Sequence, residues 1–165
     1  MTRRAQAVFV AALAIAVAVF WFWWKAPSSA EREVRGVFQD LVAELNSGTT
    51  EGFGTVAHAA RIGSFFTPNV VVELGQGAVP IEGRETLIGM AARLHPRTAA
   101  FAVEFDDVTV EFRDAVHADV TLTAVIRRRS AQAGESVDAR EFAAEVINLG
   151  GGWKIARVVA VDTLR

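Results

Sequence analysis

The sequence predicts an α+β domain in which three N-terminal helices pack on a curved antiparallel sheet, preceded by one transmembrane helix. Three observations support this prediction. An uncharged apolar run begins the chain, apolar residues then recur at helical spacing, and strict alternation takes over from about residue 101. Because the helices precede the long strands, we expect them to gather on one face of the sheet.

The apolar run covers residues 5–24 and contains no charged residue. About twenty apolar residues are enough to cross a hydrocarbon core of roughly 30 Å. Arg3 and Arg4 precede the run and favour a cytoplasmic N-terminus. A cleavable signal peptide is the competing interpretation, since Ser28 and Ala30 are small residues suited to a cleavage site. The length of the run and its bulky aromatic end favour an uncleaved signal anchor.

This interpretation divides the chain into four segments, and it predicts a single-pass membrane protein with a periplasmic or extracellular domain. The segments are a cytoplasmic tail (1–4), a transmembrane helix (5–24), a linker (25–28) and the α+β domain (29–165).

Composition excludes several classes of protein. The chain has no cysteine, which rules out disulfides and thiolate metal sites. After residue 25 it carries 14 basic and 19 acidic residues, a net charge of −5. Nucleic-acid binding needs a basic surface, so we expect no nucleic-acid partner. We also expect no cofactor.

The first helix of the domain has the clearest boundaries. Ser28 and Glu31 form a capping-box pattern, in which the hydroxyl accepts an orphan backbone N–H and the carboxylate reaches back. Apolar residues at helical spacing continue to Leu45, and Asn46-Ser47-Gly48 supplies the stop. Two more helices are predicted, over about 50–61 and from Gly83-Arg84 to Pro96, with a strand at 70–72 and a turn at Gly75 and Gly77 between them.

The second half of the domain has the alternating pattern of half-buried strands. Asp106-Asp107 interrupt this alternation by one extra residue, which predicts a β-bulge. Gly150-Gly151-Gly152 predict a hairpin turn. The four strands are expected over 101–112, 116–126, 137–149 and 153–161, with a polar tip over 128–136.

The domain resembles the NTF2-like superfamily, in particular its SnoaL-like and ketosteroid-isomerase-like branch, over roughly residues 29–163. Three segments carry the resemblance: Leu41–Gly48 (LVAELNSG), Phe66–Arg84 (FTPNVVVELGQGAVPIEGR) and Gly151–Ile155 (GGWKI). The resemblance implies a cone-shaped hollow between the helices and the sheet. Members include enzymes, binding domains and assembly subunits, so the fold does not decide the activity.

The isomerase branch of this superfamily has a carboxylate base, a phenol and a second carboxyl group. The resemblance places the base at Leu74 and the phenol at Leu41, and the chain contains no tyrosine. Only the second carboxyl group is retained, as Glu145, which is the candidate catalytic residue. Proton abstraction next to a carbonyl needs all three groups, so we do not expect that mechanism. The residues predicted to line the hollow are Phe38, Leu41, Phe66, Val72, Leu74, Met90, Phe105 and Glu145.

Other candidate groups have alternative interpretations. Glu145 can instead form an ion pair with Arg157 or Arg140 across the sheet. His117 and Asp119 share one strand face, but the histidines lie on separate elements without ligand spacing, so no metal site is expected.

Three functions follow from these patterns. We expect a membrane-anchored binding or assembly module, acting as a homodimer or as a subunit of a membrane complex. The alternative is a SnoaL-like enzyme or binder that acts on a small apolar ligand through Glu145. In a third interpretation, side chains fill the hollow and the domain is a structural remnant.

Overall fold

The computed structural model describes residues 28–47, 53–75, 77–93, 100–130 and 134–161. The chain divides into two compact units, Met1–Arg32 and Glu33–Arg165, and only residues 28–32 of the first are described. The predicted transmembrane helix at 5–24 lies outside the described residues. Among the helices that are described, none is long and apolar enough to cross a membrane.

The described residues form three helices, which precede or interrupt the sheet: α1 (Ser29–Asn46), α2 (Phe53–Gly63) and α3 (Arg84–Arg93). The serine half of the predicted capping box is confirmed, because the Ser28 hydroxyl accepts a hydrogen bond from the backbone N–H of Glu31 at 3.0 Å. Its buried face is made by Val34, Phe38 and Leu41, which are spaced three and four residues apart.

In the part of the chain that the structure describes, six strands form one curved, open sheet in the order β2-β1-β6-β5-β4-β3. They are β1 (Phe66–Glu73), β2 (Ile81–Glu82), β3 (Ala100–Phe112), β4 (His117–Ser130), β5 (Gly134–Asn148) and β6 (Trp153–Ala160).

The prediction of a wholly antiparallel sheet is wrong at one pair of strands. β6 runs parallel to β1, with Val72 beside Val158 and Glu73 beside Val159. The chain leaves β1, forms β2, α3 and the long strands, and then returns beside β1 in the same direction. Alternation of apolar residues reports which face of a strand is buried and carries no information on strand direction.

The predicted bulge in β3 is confirmed. The pairing of β3 with β4 shifts register between Asp106 and Thr109, and Asp107 has a φ of 52°. Aspartate tolerates this left-handed conformation better than most residues. The extra residue keeps Phe105 and Val110, on either side of it, on the same inner face of the sheet.

The hairpin between β4 and β5 is longer than the polar tip over 128–136 suggested. Pairing continues to Ser130 and Gly134. Two ion pairs between β4 and β5 support this longer pairing, since Arg129 lies 3.4 Å from Glu135 and Arg128 lies 3.9 Å from Asp138. Opposite charges facing each other support strand pairing as apolar pairs do.

Helix α1 is tied to β3, which is an edge strand of the sheet. The Asn46 side chain accepts from the N–H of Val103 at 2.8 Å and donates to its C=O at 2.7 Å. Further along the strand, Arg35 donates to the C=O of Val108 at 2.5 Å. These contacts cover backbone groups that an edge strand would otherwise leave unpaired.

The core lies between the helices and the inner face of the sheet. Its largest fully buried side chains come from α1, β1, β4, β5 and β6, which shows that α1 and the sheet share one hydrophobic core. They are Val34, Val70, Val120, Val146 and Ile155.

Candidate functional site

A cavity of about 330 Å³ lies within this core, so side chains do not fill the hollow. Every described residue that lines it is apolar. The lining residues are Phe38, Leu41, Leu45, Ile62, Phe66, Val72, Leu87, Ala91, Val103, Phe105, Leu122, Ala124, Ile126, Phe142, Ala144, Ile155 and Val158.

Five of the eight predicted lining residues border this cavity, namely Phe38, Leu41, Phe66, Val72 and Phe105. The other three are Leu74, Met90 and Glu145, and they lie elsewhere.

Leu74 follows the last residue of β1, so it leaves the inner-face row, and its exposed fraction is 41%. On α3 the residues that border the cavity are Leu87 and Ala91, which lie one turn apart. Met90 is one position away from Ala91, and its exposed fraction is 39%.

Several strand residues border the cavity although they were not predicted to line it, and the sequence pattern indicates some of them. Leu122, Ala124 and Ile126 alternate along the strand predicted over 116–126, and the cavity lies along this row. The alternating pattern does not indicate that Val158 faces the cavity. A register shift between β5 and β6 separates it from Ile155, although both side chains border the cavity.

Glu145 lies on the outer face of the sheet, between the inward-facing Ala144 and Val146. Its carboxylate accepts a hydrogen bond from Arg113 at 2.6 Å, and Arg113 also lies 2.8 Å from Asp119. The hydrogen bond to Glu145 and the two carboxylate charges raise the pKa of Arg113. The alternation of strand side chains explains this position, because consecutive residues of β5 face opposite sides.

The predicted ion-pair partners of Glu145 are engaged elsewhere. Arg157 donates to Glu73 at 2.6 Å, which joins β6 to β1. Arg140 lies 4.0 Å from Asp138 on its own strand.

His117 and Asp119 do not pair with each other. The His117 ring lies 2.9 Å from Asp114 in the turn before β4. Asp114 also accepts hydrogen bonds from the backbone N–H groups of Val116 and His117 at 2.8 Å, and these bonds lower its pKa. No group of three potential metal-ligating side chains occurs in the described part of the chain.

One carboxylate–histidine pair lies between helices α1 and α2. The Glu44 carboxylate is 2.8 Å from the His58 ring and 2.6 Å from Arg61. Burial acts to raise the pKa of Glu44, but hydrogen bonds and charge from Arg61 and His58 outweigh it, and the pKa is lowered. Neither Glu44 nor His58 borders the cavity.

A second hollow, of about 570 Å³, forms a groove between α1 and β3. Phe38 and Phe105 border both this groove and the cavity. Their rings meet edge to face, with centroids 6.2 Å apart and an interplanar angle of 66°. The remaining groove residues are Arg35, Gln39 and Val42 of α1 and Glu104, Asp106, Asp107 and Val108 of β3.

Several solved structures share this fold. Aln2 from a Streptomyces species aligns with a TM-score of 0.66 and 18% identity, over 82% of this chain and 93% of that one. ActVI-ORFA from Streptomyces coelicolor aligns with a TM-score of 0.66 and 10% identity, over 83% and 100%. An NTF2-like protein with a cystatin-like fold from Novosphingobium aromaticivorans gives a TM-score of 0.65 and 12% identity, over 92% and 90%. At these identities the likeness is one of fold.

No curated protein compared with the chain matches it. At the level of sequence families, the SnoaL-like domain matches residues 56–159, which is more than half of the chain. The chain therefore belongs to the SnoaL-like domain family and has the NTF2-like fold.

Proposed function

We propose that this domain binds a small apolar molecule in the cavity between its helices and its sheet. The observation that carries the proposal is the wholly apolar lining of a space of about 330 Å³. That volume lies within the range of small-molecule sites. An apolar ligand would leave water and fill space that the protein leaves unpacked, and both changes favour binding.

The proposed role is binding rather than chemical conversion. Acid–base catalysis requires an ionisable side chain within hydrogen-bond reach of the substrate. None of the described residues that border the cavity has one. Glu145, the candidate for that role, contacts Arg113 on the outer face of the sheet.

Ligand binding can be tested by ¹⁹F NMR with 1-fluoronaphthalene and the full chain in amphipol. We expect a separate resonance for the bound probe, with a Kd on the order of 10 µM. A sample of amphipol alone identifies the signal of probe that partitions into the amphipol. Absence of a protein-bound resonance at saturating probe would refute the proposed function.

Filling the cavity should abolish this binding. Ala144 borders the cavity, so Ala144→Leu is expected to weaken probe affinity by at least about tenfold because the new side chain occupies the site. Ala143→Leu is the matched control, since Ala143 neighbours it in sequence, faces the outer side and does not border the cavity. Equal weakening by both variants, or by neither, would contradict binding in this cavity.

We also propose that the chain is anchored in a membrane by residues 5–24, with the domain on the periplasmic or extracellular side. The uncharged run and the preceding arginines support this proposal. The full chain should remain with bacterial membranes after alkaline carbonate extraction, and external protease should digest the domain in spheroplasts. A shortened chain in the soluble periplasmic fraction would indicate a cleaved signal peptide instead. Assembly as a homodimer or as a subunit of a membrane complex stays a prediction.

A further inference from the structure

The apolar cavity and the groove are separated by two aromatic rings. Among the described residues, Phe38 of α1 and Phe105 of β3 border both spaces. Their edge-to-face contact therefore forms a partition, with the apolar cavity on one side and the more polar groove on the other.

The groove is held at both ends by hydrogen bonds between α1 and β3. Asn46 binds the backbone of Val103 at one end, and Arg35 binds the C=O of Val108 at the other. Residues two apart on a strand direct their backbone groups to the same side. The N–H and C=O of Phe105 therefore face the sheet edge, as those of Val103 do. They point away from β4 and make no ladder hydrogen bonds to it.

The two rings differ in how firmly they are held. Phe38 is 3% exposed and lies in the middle of α1. Phe105 is half-buried on an edge strand and comes immediately before the bulge, where Asp107 has a left-handed backbone. Segments with few buried contacts and an irregular ladder open locally at low cost in free energy. Phe105 is therefore the less firmly held of the two rings.

We propose that the groove between α1 and β3 is the entrance to the apolar cavity, and that Phe105 swings away from Phe38 to admit the ligand. This inference rests on the proposed ligand-binding function and adds the route by which the ligand reaches its site. An entrance controls the rates of binding and release together, and it leaves their ratio, the equilibrium affinity, nearly unchanged.

Blocking the groove tests this route. Gln39 is exposed and borders the groove without bordering the cavity. In Gln39→Trp, exchange of 1-fluoronaphthalene measured by ¹⁹F exchange spectroscopy is expected to slow by about tenfold in both directions, with an unchanged Kd. The control is Asp40→Trp, because Asp40 is the next exposed residue of α1 and borders neither space. It should exchange the probe at the wild-type rate.

Removing the movable ring tests the gate itself. Phe105→Ala is expected to speed both binding and release by about tenfold, because the partition is gone. Phe66→Ala is the matched control, since Phe66 borders the cavity but not the groove. It can change the Kd but should not accelerate binding.

The outcomes separate the two proposals. If the probe binds, Ala144→Leu blocks it, and Gln39→Trp exchanges at the wild-type rate, the cavity is the site and the groove is not the entrance. Equal acceleration by Phe105→Ala and Phe66→Ala would likewise overturn the gate. Failure of the wild-type chain to bind the probe would overturn the proposed function and the entrance together.

Discussion

Replacement of Trp153 by alanine is expected to lower the free energy of unfolding by about 3–5 kcal/mol, the usual cost of deleting a large buried aromatic side chain. Trp153 is 4% exposed at the start of β6. Its ring packs edge to face on Phe112, with centroids 5.7 Å apart. The loss would leave a void where β3 and β6 face the same core. Urea unfolding followed by far-ultraviolet circular dichroism measures the change.

The phenylalanine variant is the informative control. The indole N–H of Trp153 is buried, and no hydrogen-bond partner is found for it among the described residues. An unpaired buried donor costs about 1–3 kcal/mol, and phenylalanine removes that cost while keeping most of the ring. We therefore expect Trp153→Phe to cost less than about 1.5 kcal/mol. A loss as large as that of the alanine variant would contradict this expectation.

Replacement of Phe38 by alanine should be the other strongly destabilising change, at about 3–5 kcal/mol. Phe38 is buried in the central part of α1, and it contributes both to the core and to the partition with Phe105. The alanine variant would lose the ring contact and join the cavity to the groove. The same urea titration measures the effect.

Phe105→Ala provides the comparison, because the two rings share one contact and differ in burial. Phe105 is half-buried on the sheet edge, so its removal should cost roughly half as much as that of Phe38. This difference is what makes Phe105→Ala usable in exchange measurements. Should the Phe105 variant unfold as readily as the Phe38 variant, the ring would be a structural anchor of β3 and a poor candidate for a moving part.

Most of the secondary structure could be predicted from the residues alone. The cap at Ser28, the apolar face of α1 and the bulge at Asp106-Asp107 each depend on neighbours within a few positions. The alternating row of β4 also indicated which face of that strand is buried, because a strand with one buried face must show that period.

The side of the sheet on which Glu145 lies could not be predicted from the sequence. Matching its place to the family pattern put a carboxylate in the hollow, whereas the side chain faces outward to Arg113. Because Ala144 and Val146 face inward, Glu145 between them must face outward. Which face of β5 is the inner one is set by its pairing with β4 and β6. The pair Glu44–His58 was missed for a related reason, since its two residues lie on different helices.

Local chemistry along the chain is sufficient to specify the helices, the long strands, the bulge and the apolar inner rows, because propensity, capping and periodicity act over a few residues. Contacts between distant segments set the parallel approach of β6 to β1, the cavity and its partition by Phe38 and Phe105. These features depend on which strands pair and on where α1 crosses the sheet edge. No short stretch of residues encodes that information.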